Sequence, residues 1–485
     1  MIIDEPKISV AQQLVFVAEA NYQIIRSTEN EFYAIPRIGP RIAKSLNGNY
    51  NSFSNDLLMR YSNATKGKIA NANAVQDAIR ILRAKAAAAE TTPVHLRYAT
   101  HLGKIYVDLG DASGEVLEID NNGWRVINAA PVIFKRTQLT GALPRPLVGI
   151  EIEEIFSLLN IAPELRDLYI GFLVASCFPD ISHPILVING EQGSGKSNAT
   201  NFTVSLIDPS AAPLRKPPRD IQSWVESANG SYLIAIDNIS KIRDWESDAF
   251  CRASTGDGDV KRQHYSDSDL IVYSFRRVLI INGINLSELR DDLNDRIIAL
   301  KLPVVTADNR KLESELKDLW QERLPYFVGA LYSLCSSVLS TLEHISLKEL
   351  PRMADFAKIL AAIDEVRGTD SIGDYNREIR RAAFNAIEEN QFLVDVTRLI
   401  EGSWHGTASD LNEFLRKNGA NCFSKDWPAT NSEITERLTR SAPTLRKAGW
   451  TVDNLGATNH EKVTKWRIAP PAGFAGDSLH FLEKK

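Results

Sequence analysis

The chain has 485 residues, of which 44% are hydrophobic and 24% charged, and its formal net charge is −5. These values are typical of a globular protein of about three domains, and they exclude nucleic-acid binding through an overall positive charge. No apolar run reaches the roughly 18 residues that cross a bilayer, no secretory signal is visible and the four cysteines lie far apart, so we expect a cytoplasmic protein without a membrane partner, disulfide or zinc site.

Residues upstream of the first motif divide into two predicted regions. Residues 1–92 are predicted to be mostly helical and end in an alanine-rich stretch at 74–89. Residues 93–145 are predicted to form a small β meander, because Gly, Asp and Asn separate short apolar runs. A helical stretch is expected at 150–176. The predicted strands lie at 105–109, 116–119 and 124–127.

A glycine-rich motif begins at residue 190, directly after the apolar run 185–188. Its sequence, Gly-Glu-Gln-Gly-Ser-Gly-Lys-Ser, fits G-x-x-x-x-G-K-[ST], in which backbone N–H groups and a helix start surround phosphates. Lys196 is predicted to reach the β- and γ-phosphates of ATP, and Ser197 to bind Mg²⁺. The predicted nucleotide-binding residues are Gly190, Glu191, Gln192, Gly193, Ser194, Gly195, Lys196, Ser197 and Asn198.

Two later apolar runs each end in a polar residue. Residues 233–236 precede Asp237, and residues 278–281 precede Asn282. Four consecutive apolar residues are typical of a buried parallel strand, and ligands bind at the carboxyl ends of such strands. Asp237 is predicted to hold Mg²⁺ together with Ser197, and Asn282 to orient the water that attacks the γ-phosphate. A polar residue that merely starts a turn is the simpler interpretation of each.

A segment rich in Gly and Asp at 255–259 precedes a basic and aromatic sequence. Its Gly and Asp residues predict a tight turn, and the residues that follow are expected at its tip. Lys261, Arg262 and His264 are therefore predicted to contact the phosphate backbone of DNA. The alternative is a solvent-exposed loop that does not contact DNA.

Arg296 stands at the start of the apolar run 297–300. An arginine at this place can cross a subunit interface and stabilise the charge that develops on the γ-phosphate bound by a neighbouring subunit. Arg290 is the second candidate for that role. A local pair between an arginine and an aspartate is the alternative for both.

The C-terminal region, residues 396–485, resembles a winged helix. Residues 407–415 predict a capped amphipathic helix, 431–447 a second helix, and the runs after it a hairpin. The second helix would enter a major groove of DNA while the hairpin contacts the backbone. From Arg398 onwards the chain has 13 basic and 10 acidic residues, so a domain used for protein contacts remains an alternative.

The whole chain is therefore predicted to be a multidomain α/β protein. Residues 1–145 form an N-terminal α+β accessory region, in two parts as above. Residues 146–305 form a central P-loop ATPase core, in which helices flank a parallel sheet. Residues 306–395 form a helical subdomain, and the winged helix follows.

The order of these elements resembles that of the superfamily 3 helicases, which are AAA+ motors of viral, phage and plasmid replication. All five elements, from the glycine-rich motif to Arg296, lie within residues 183–302. More closely, the chain resembles ATP-binding proteins of phages and mobile elements that are related to the helicase halves of phage primases. The resemblance implies a ring, usually a hexamer, with ATP sites between subunits and basic loops around DNA. The likeness is carried by residues 208–215, 248–252 and 352–357.

One position departs from that resemblance. The superfamily usually has two acidic residues at the end of the second strand, whereas this chain has Asp237 followed by Asn238. An amide cannot act as a general base. Either another group positions the water, such as Asn282 or the carboxylate of Glu191, or hydrolysis is slow.

The sequence thus predicts an ATP- and Mg²⁺-dependent DNA helicase or translocase. It would serve replication of a phage, prophage or plasmid-like element on single-stranded or forked DNA, with a separate primase as a further partner. The alternative is a DNA-binding initiator or loader scaffold. Nucleotide binding would switch such a scaffold, but it would not unwind DNA. A small-molecule kinase is disfavoured, because it explains neither the basic segment nor the winged helix.

Overall fold

A computed structural model of the chain describes residues 8–47, 53–262, 270–283, 289–306, 308, 310–347, 350–424, 427–457 and 463–471. The chain divides into two compact units. The first comprises residues 1–284 and 296–371, and the second comprises residues 285–295 and 372–485. Both units mix helices with strands, so the predicted multidomain α/β organisation is confirmed.

The N-terminal part of the first unit has a five-stranded sheet, in the order β4-β1-β2-β3-β9, and three helices. Leu14, Leu57 and Leu82, one from each helix, are fully buried in a shared core. The prediction of a mostly helical region is wrong over residues 22–45, where short apolar runs interrupted by turns form strands. The elements are α1 Val10–Asn21, β1 Tyr22–Ser27, β2 Phe32–Pro36, β3 Ile42–Ser45, α2 Phe53–Ala64, α3 Ala72–Ala88, β4 Thr91–Thr92 and β9 Phe134–Lys135.

An antiparallel meander, β5-β6-β7-β8, follows in the first unit. It contains the three predicted strands and a further one, β5, ahead of them. The first turn needs a glycine at position 103, where φ is +74°. The strands are β5 Tyr98–His101, β6 Lys104–Asp108, β7 Val116–Asp120 and β8 Gly123–Ile127.

A four-stranded parallel sheet forms the centre of the first unit, in the order β11-β14-β10-β15. Apart from Asn189, Asn282 and Lys301 at their ends, its strands consist of apolar residues, most of them buried, as the sequence predicts. An antiparallel hairpin, β12–β13, lies between α7 and β14 along the chain. The elements are β10 Ile185–Asn189, α5 Lys196–Ile207, α6 Ile221–Gly230, β11 Leu233–Ile236, α7 Asp244–Thr255, β12 Gly258–Arg262, β13 Leu270–Ser274, β14 Val278–Asn282 and β15 Ile297–Lys301.

The helical stretch predicted at 150–176 is interrupted. Two short 3-10 helices, Ile152–Ser157 and Pro163–Leu165, precede α4, Arg166–Ser176. Pro163 stands at the first position of the second one, where its missing N–H costs no hydrogen bond.

Helix α9, Glu313–Thr341, is long and apolar enough to cross a membrane by length and composition alone. However, 61% of its most apolar window is buried. The Trp320 ring stacks on Phe202 of α5 with ring centroids 4.2 Å apart, and its Nε1 donates to Ser205 Oγ at 2.8 Å. The apolar side of α9 therefore packs within the first unit, beside α10, Ala354–Arg367.

In the described residues of the second unit, α8 and α11 are followed by a helix, a strand, two helices and two strands. Its strands form an antiparallel sheet in the order β16-β18-β17. The predicted capped helix is α13, whose Thr407 Oγ1 accepts from the Asp410 N–H in a capping box. The elements are α8 Asp291–Asn294, α11 Ser371–Glu388, α12 Gln391–Leu399, β16 Trp404–Thr407, α13 Ala408–Lys417, α14 Asn431–Lys447, β17 Thr451–Ala457 and β18 Thr464–Ala469.

Candidate functional site

The glycine-rich motif forms the loop between β10 and α5. A Cβ atom on Gly190 would lie 2.5 Å from Ser194 Oγ and 2.9 Å from the Leu302 carbonyl oxygen, so only glycine fits there. Gly195, with φ at +87°, occupies the N-cap of α5 and offers no side-chain acceptor. The N–H groups of the first turn of α5 are therefore left for another acceptor. A helix start of this kind is an anion-binding site.

The ammonium group of Lys196 lies over this loop. Its Nζ donates to the Gly190 carbonyl oxygen at 2.7 Å and to the Glu191 carbonyl oxygen at 2.9 Å. The side chain thus folds back from the first turn of α5 onto the start of the loop. The next residue, Ser197, is exposed. One positive charge and one exposed hydroxyl therefore accompany the N–H groups of the loop.

The predicted polar residues at the strand ends lie at the same edge of the sheet as the loop. Ile188 of β10 is paired with Asn282 of β14, and Ile236 of β11 with Ile281. Asp237, which follows β11, is therefore level with Asn282. The structure thus brings Lys196, Asp237 and Asn282 to one edge, in the order that the sequence predicts.

Asp237 is half-buried, and its backbone N–H donates to the Arg215 carbonyl oxygen at 2.8 Å. In the described part of the chain, its carboxylate has no hydrogen-bond or ion-pair partner. No group of three His, Cys, Asp or Glu residues suited to a metal occurs among the described residues. Mg²⁺ needs no such group, because it binds through one or two carboxylates, water and phosphate oxygens. Asp237 and Ser197 therefore have the right chemistry for it.

Asn282 is 2% exposed and links three segments of the site. Its Oδ1 accepts from the Asn238 N–H at 2.7 Å, and its Nδ2 donates to Thr200 Oγ1 at 3.3 Å. The Thr200 hydroxyl in turn donates to the Lys196 carbonyl oxygen at 2.9 Å. The carboxamide of Asn282 therefore ties the end of β11 to the first turn of α5. Whether it also orients water stays a prediction.

Asn238 has a left-handed backbone, with φ at +56°, and an exposed side chain. Asparagine adopts this conformation more readily than most residues that carry a Cβ. Gly283 packs against it, since a Cβ atom there would lie 3.0 Å from the Asn238 Cα. Superfamily 3 helicases usually have a second acidic residue at this position. In this chain the position lies in a tight turn and carries a neutral side chain.

Arg296 lies at the opposite edge of the sheet. Its carbonyl oxygen accepts from the N–H of Ile185, the first residue of β10, and the loop begins only after the fifth residue. At about 3.3 Å per residue the two edges are about 16 Å apart. Its Nη1 contacts Cys251 Sγ at 3.7 Å. Arg290, the second candidate, forms an ion pair with Asp292 at 3.5 Å in the second unit.

Two residues near the loop have no signal in the sequence. Asn160 Nδ2 donates to the Pro303 carbonyl oxygen at 2.6 Å and to the Ser194 carbonyl oxygen at 3.4 Å, which anchors the loop to the end of β15. Arg310 places a guanidinium nitrogen 3.8 Å from the position of a Cβ on Gly193. Both approaches join distant parts of the chain, so no local pattern predicts them.

Within the predicted DNA-contacting segment, residues 258–262 form strand β12, which pairs with β13 in an antiparallel hairpin. Lys261 and Arg262 belong to β12, whose residue 262 is paired with Leu270 of β13. The β-branched and aromatic residues of β13 favour a strand at this position. His264 lies outside the described residues. Contact of this segment with DNA stays a prediction.

Basic residues of α14 mostly have partners inside the second unit. Arg440 pairs with Glu436 at 2.8 Å, and Lys447 pairs with Asp295. Arg446 donates through Nε at 2.9 Å and Nη2 at 2.6 Å to the Val452 carbonyl oxygen. These three side chains therefore stabilise the unit, and the charge of α14 available to DNA is smaller than the sequence indicates.

Two models of one protein family match this chain. Residues 152–384 match the model described as actinomycete integrative conjugative element replication protein, and residues 392–475 match the RepA C-terminal domain of these elements. The chain is a replication protein of a mobile element. The predicted role in mobile-element replication is thereby confirmed.

Solved structures of the NrS-1 C-terminal region are also similar to this chain. The apo A form, residues 305–718, is 11% identical, with a TM-score of 0.40 over 96% of this chain and 100% of that chain. A second apo structure is 12% identical, with a TM-score of 0.39 over the same shares. Nothing about activity follows from scores this low. Among curated proteins, none matches the sequence.

Proposed function

We propose that this replication protein is an ATP-driven DNA helicase or translocase, with ATP and Mg²⁺ bound at the loop between β10 and α5. The observation that carries the proposal is the geometry of that loop. Lys196 lies over it, the start of α5 offers unpaired N–H groups, and Asp237 lies at the same edge of the sheet. Phosphate groups need this combination of N–H donors and positive charge.

The bound nucleotide would place its β- and γ-phosphates on the loop. Lys196 would exchange its two carbonyl acceptors for phosphate oxygens, since a charged acceptor gives the stronger hydrogen bond. Ser197 and Asp237 would share Mg²⁺ between helix and strand. Asn282 would keep the Asp237–Asn238 turn fixed relative to α5 while the negative charge on the phosphates redistributes during hydrolysis.

Arg296 supports a site that two subunits share. An arginine side chain cannot cross the roughly 16 Å between the two edges of the sheet, so Arg296 does not reach the nucleotide of its own subunit. In a ring with head-to-tail contacts, opposite edges of neighbouring subunits meet. Arg296 would then stabilise the γ-phosphate charge in the adjacent site. A hexamer is what the resemblance to superfamily 3 helicases implies.

Contacts with DNA would come from two places. The β12–β13 hairpin carries Lys261 and Arg262, and single-stranded DNA is held chiefly through its phosphates. The second unit has the helix and strand order of a winged helix, with a sheet in the order β16-β18-β17. In that fold α14 would be the helix that enters a groove.

A second function, a DNA-binding scaffold switched by nucleotide, is favoured by one observation. The residue after Asp237 is an asparagine in a left-handed turn, so no second carboxylate stands there to accept a proton from water. Such a protein would bind ATP, assemble on DNA and hydrolyse the nucleotide slowly. ATP binding, assembly on DNA and slow hydrolysis are sufficient for an initiator or loader.

The test of the nucleotide site is the variant Lys196→Ala. We expect ATP hydrolysis to fall about a hundredfold or more, because a charged donor to the transferred phosphate is lost. The matched control is Lys68→Ala, which removes an exposed lysine far along the chain. Hydrolysis is measured with saturating ATP and single-stranded DNA. Turnover retained by Lys196→Ala would show that another site hydrolyses the nucleotide.

Strand displacement on a forked duplex separates the two functions. A motor displaces one strand in the presence of ATP and Mg²⁺, and the mass of the assembly gives the ring size. A scaffold forms the same assembly and binds the fork, but it leaves the duplex intact. The Lys196→Ala variant provides the baseline for both measurements.

A further inference from the structure

A cavity of about 280 Å³ lies at the amino end of the parallel sheet in the first unit. Tyr232, which directly precedes β11, and Arg276 and Arg277, which directly precede β14, are among its walls. The candidate ATP loop lies at the carboxyl end of the same strands. The cavity is therefore a separate place on the molecule, with its own charged groups.

Arg277 is a buried arginine that forms no ion pair with a carboxylate of the described residues. Its side chain is 7% exposed, and it donates from Nε to the Ala228 carbonyl oxygen at 2.6 Å and from Nη1 to the Arg276 carbonyl oxygen at 2.7 Å. Burial lowers its pKa to about 10, and the charges of Glu29, Asp208 and Glu31, which lie further away than an ion pair, offset only part of that effect. A buried charge of this kind is costly unless something compensates for it. The cavity is where a compensating group can enter.

Arg276 faces the same cavity and also lacks an acidic partner. Its Nε donates to the Thr255 carbonyl oxygen at 3.2 Å, and its Nη1 donates to the Pro179 carbonyl oxygen at 3.2 Å. In Arg276 and Arg277 alike, Nη2 has no hydrogen-bond partner among the described residues. Two arginines that line one cavity, each with a guanidinium donor to spare, are suited to the oxygens of a phosphate group.

The carboxylates near the cavity offset the charge of this pair only in part, through Glu29, Asp208 and Glu31, which act on Arg277. Lys135 is balanced by Glu29 and Glu31, each at 2.9 Å from its Nζ. Asp180 is exposed at the rim. Burial lowers the pKa of His95, so its imidazole is neutral near pH 7. Glu29 and Asp180 can accept from hydroxyl or N–H groups, so a suitable ligand carries a phosphate and donors of its own.

The size and position of the cavity further limit which ligands could bind there. A volume of about 280 Å³ is at the lower end for small-molecule pockets, which suits one nucleotide but not two. Gly256, two residues before β12, and Phe275, directly after β13, both line it. The cavity therefore lies at the base of the hairpin that carries Lys261 and Arg262.

We propose that this cavity binds one phosphorylated nucleoside, with its phosphate on Arg276 and Arg277. The nucleoside is either a free nucleotide or the 5′-terminal nucleotide of a DNA strand. Its sugar and base donors face Glu29 and Asp180. A ligand held there contacts both ends of the β12–β13 hairpin and the N-terminal sheet, so it fixes how the hairpin leaves the core.

The test is a calorimetric titration of full-length protein with thymidine 5′-monophosphate. We expect wild type and Lys196→Ala to bind it equally well, since this ligand has no β- or γ-phosphate for the loop. Arg276→Gln is expected to weaken binding at least tenfold, and Arg277→Lys, which keeps the buried charge, at least threefold. The control is Arg145→Gln, which removes an exposed arginine paired with Glu115.

Three outcomes overturn the proposal: no binding to wild type, loss of binding in Lys196→Ala, or equal affinity in Arg276→Gln and wild type. The first two do not depend on whether the loop binds ATP, which is measured separately. Oligothymidylates with 5′-phosphate and 5′-hydroxyl ends then distinguish the sources. A strand end is the ligand if only the phosphorylated strand displaces the nucleotide, and a free nucleotide is the ligand if neither strand does.

Discussion

Asn282 shows how one buried carboxamide can hold a site together. Its oxygen accepts from Asn238, just after β11, and its nitrogen donates to Thr200 of α5. The sequence predicts its position, because a polar residue ends an apolar strand. It does not predict the partners, since Thr200 and Asn238 are 82 and 44 residues away. Contacts over such separations depend on how the strands are ordered in the sheet, which no local pattern specifies.

Asn238 is the residue at which catalytic rate can be tested directly. The variant Asn238→Asp places a carboxylate beside Asp237 and keeps a short side chain that tolerates the left-handed turn. If water activation limits turnover, the rate of ATP hydrolysis should rise at least tenfold, because a general base contributes about 10²- to 10⁴-fold. The measurement is turnover at saturating ATP.

The control for that change is Asn238→Ala, which removes the carboxamide and adds no base. Both variants keep the backbone N–H that donates to Asn282. An unchanged rate in Asn238→Asp would mean that a step other than proton removal limits hydrolysis.

At the scale of elements, the strands of the parallel sheet were predictable and the N-terminal strands were not. Four apolar residues in succession, buried on both faces, are the signature of β10, β11 and β14. In residues 22–45 the apolar runs are short and lie beside a strongly helical sequence, so periodicity alone favours a helix. Pairing with β4 and β9, more than 45 residues further along the chain, completes that sheet.

The β12–β13 hairpin is the element whose contact with DNA is open to test. The double variant Lys261→Ala, Arg262→Ala should weaken single-stranded DNA binding. It should also reduce the slope of log affinity against log salt by about 1.4, the value for two lost phosphate contacts. Binding is measured by fluorescence anisotropy between 50 and 300 mM salt. A matched double variant, Lys68→Ala with Arg80→Ala, removes two exposed charges from the N-terminal region.

Equal salt slopes in the two double variants would contradict a DNA role for the hairpin. A drop in affinity with an unchanged slope would contradict phosphate contacts as its cause. Either result would shift attention to the second unit, where Lys465 and Arg467 lie exposed on β18.

At the scale of the whole molecule, the two family models match residues 152–384 and 392–475, which belong to both units. The position of Arg296 also predicts how subunits of a ring would complement one another. Lys196→Ala subunits keep the arginine, and Arg296→Ala subunits keep the loop. In a mixed ring, about a quarter of head-to-tail interfaces would then combine an intact loop with an intact arginine.

We therefore expect each variant alone to lack ATP hydrolysis and a 1:1 mixture to regain part of it. The measurement is turnover of the mixture, alongside its mass. The control mixes Arg296→Ala with the double variant Lys196→Ala, Arg296→Ala, which offers no intact arginine to any loop. Mixed assemblies that remain as inactive as this control would contradict a shared site.

The packing around Asn282 also has a chemical consequence. Asn282 and Gly283 form the dipeptide most prone to deamidation, in which the glycine nitrogen attacks the asparagine carboxamide. In the folded chain that nitrogen donates to the Ile188 carbonyl oxygen at 3.4 Å, and the carboxamide is held by Asn238 and Thr200. Ring closure would have to break these bonds inside a buried strand. Deamidation of Asn282 to aspartate should therefore occur mainly in unfolded molecules, and its extent should increase with the time that a molecule has spent unfolded.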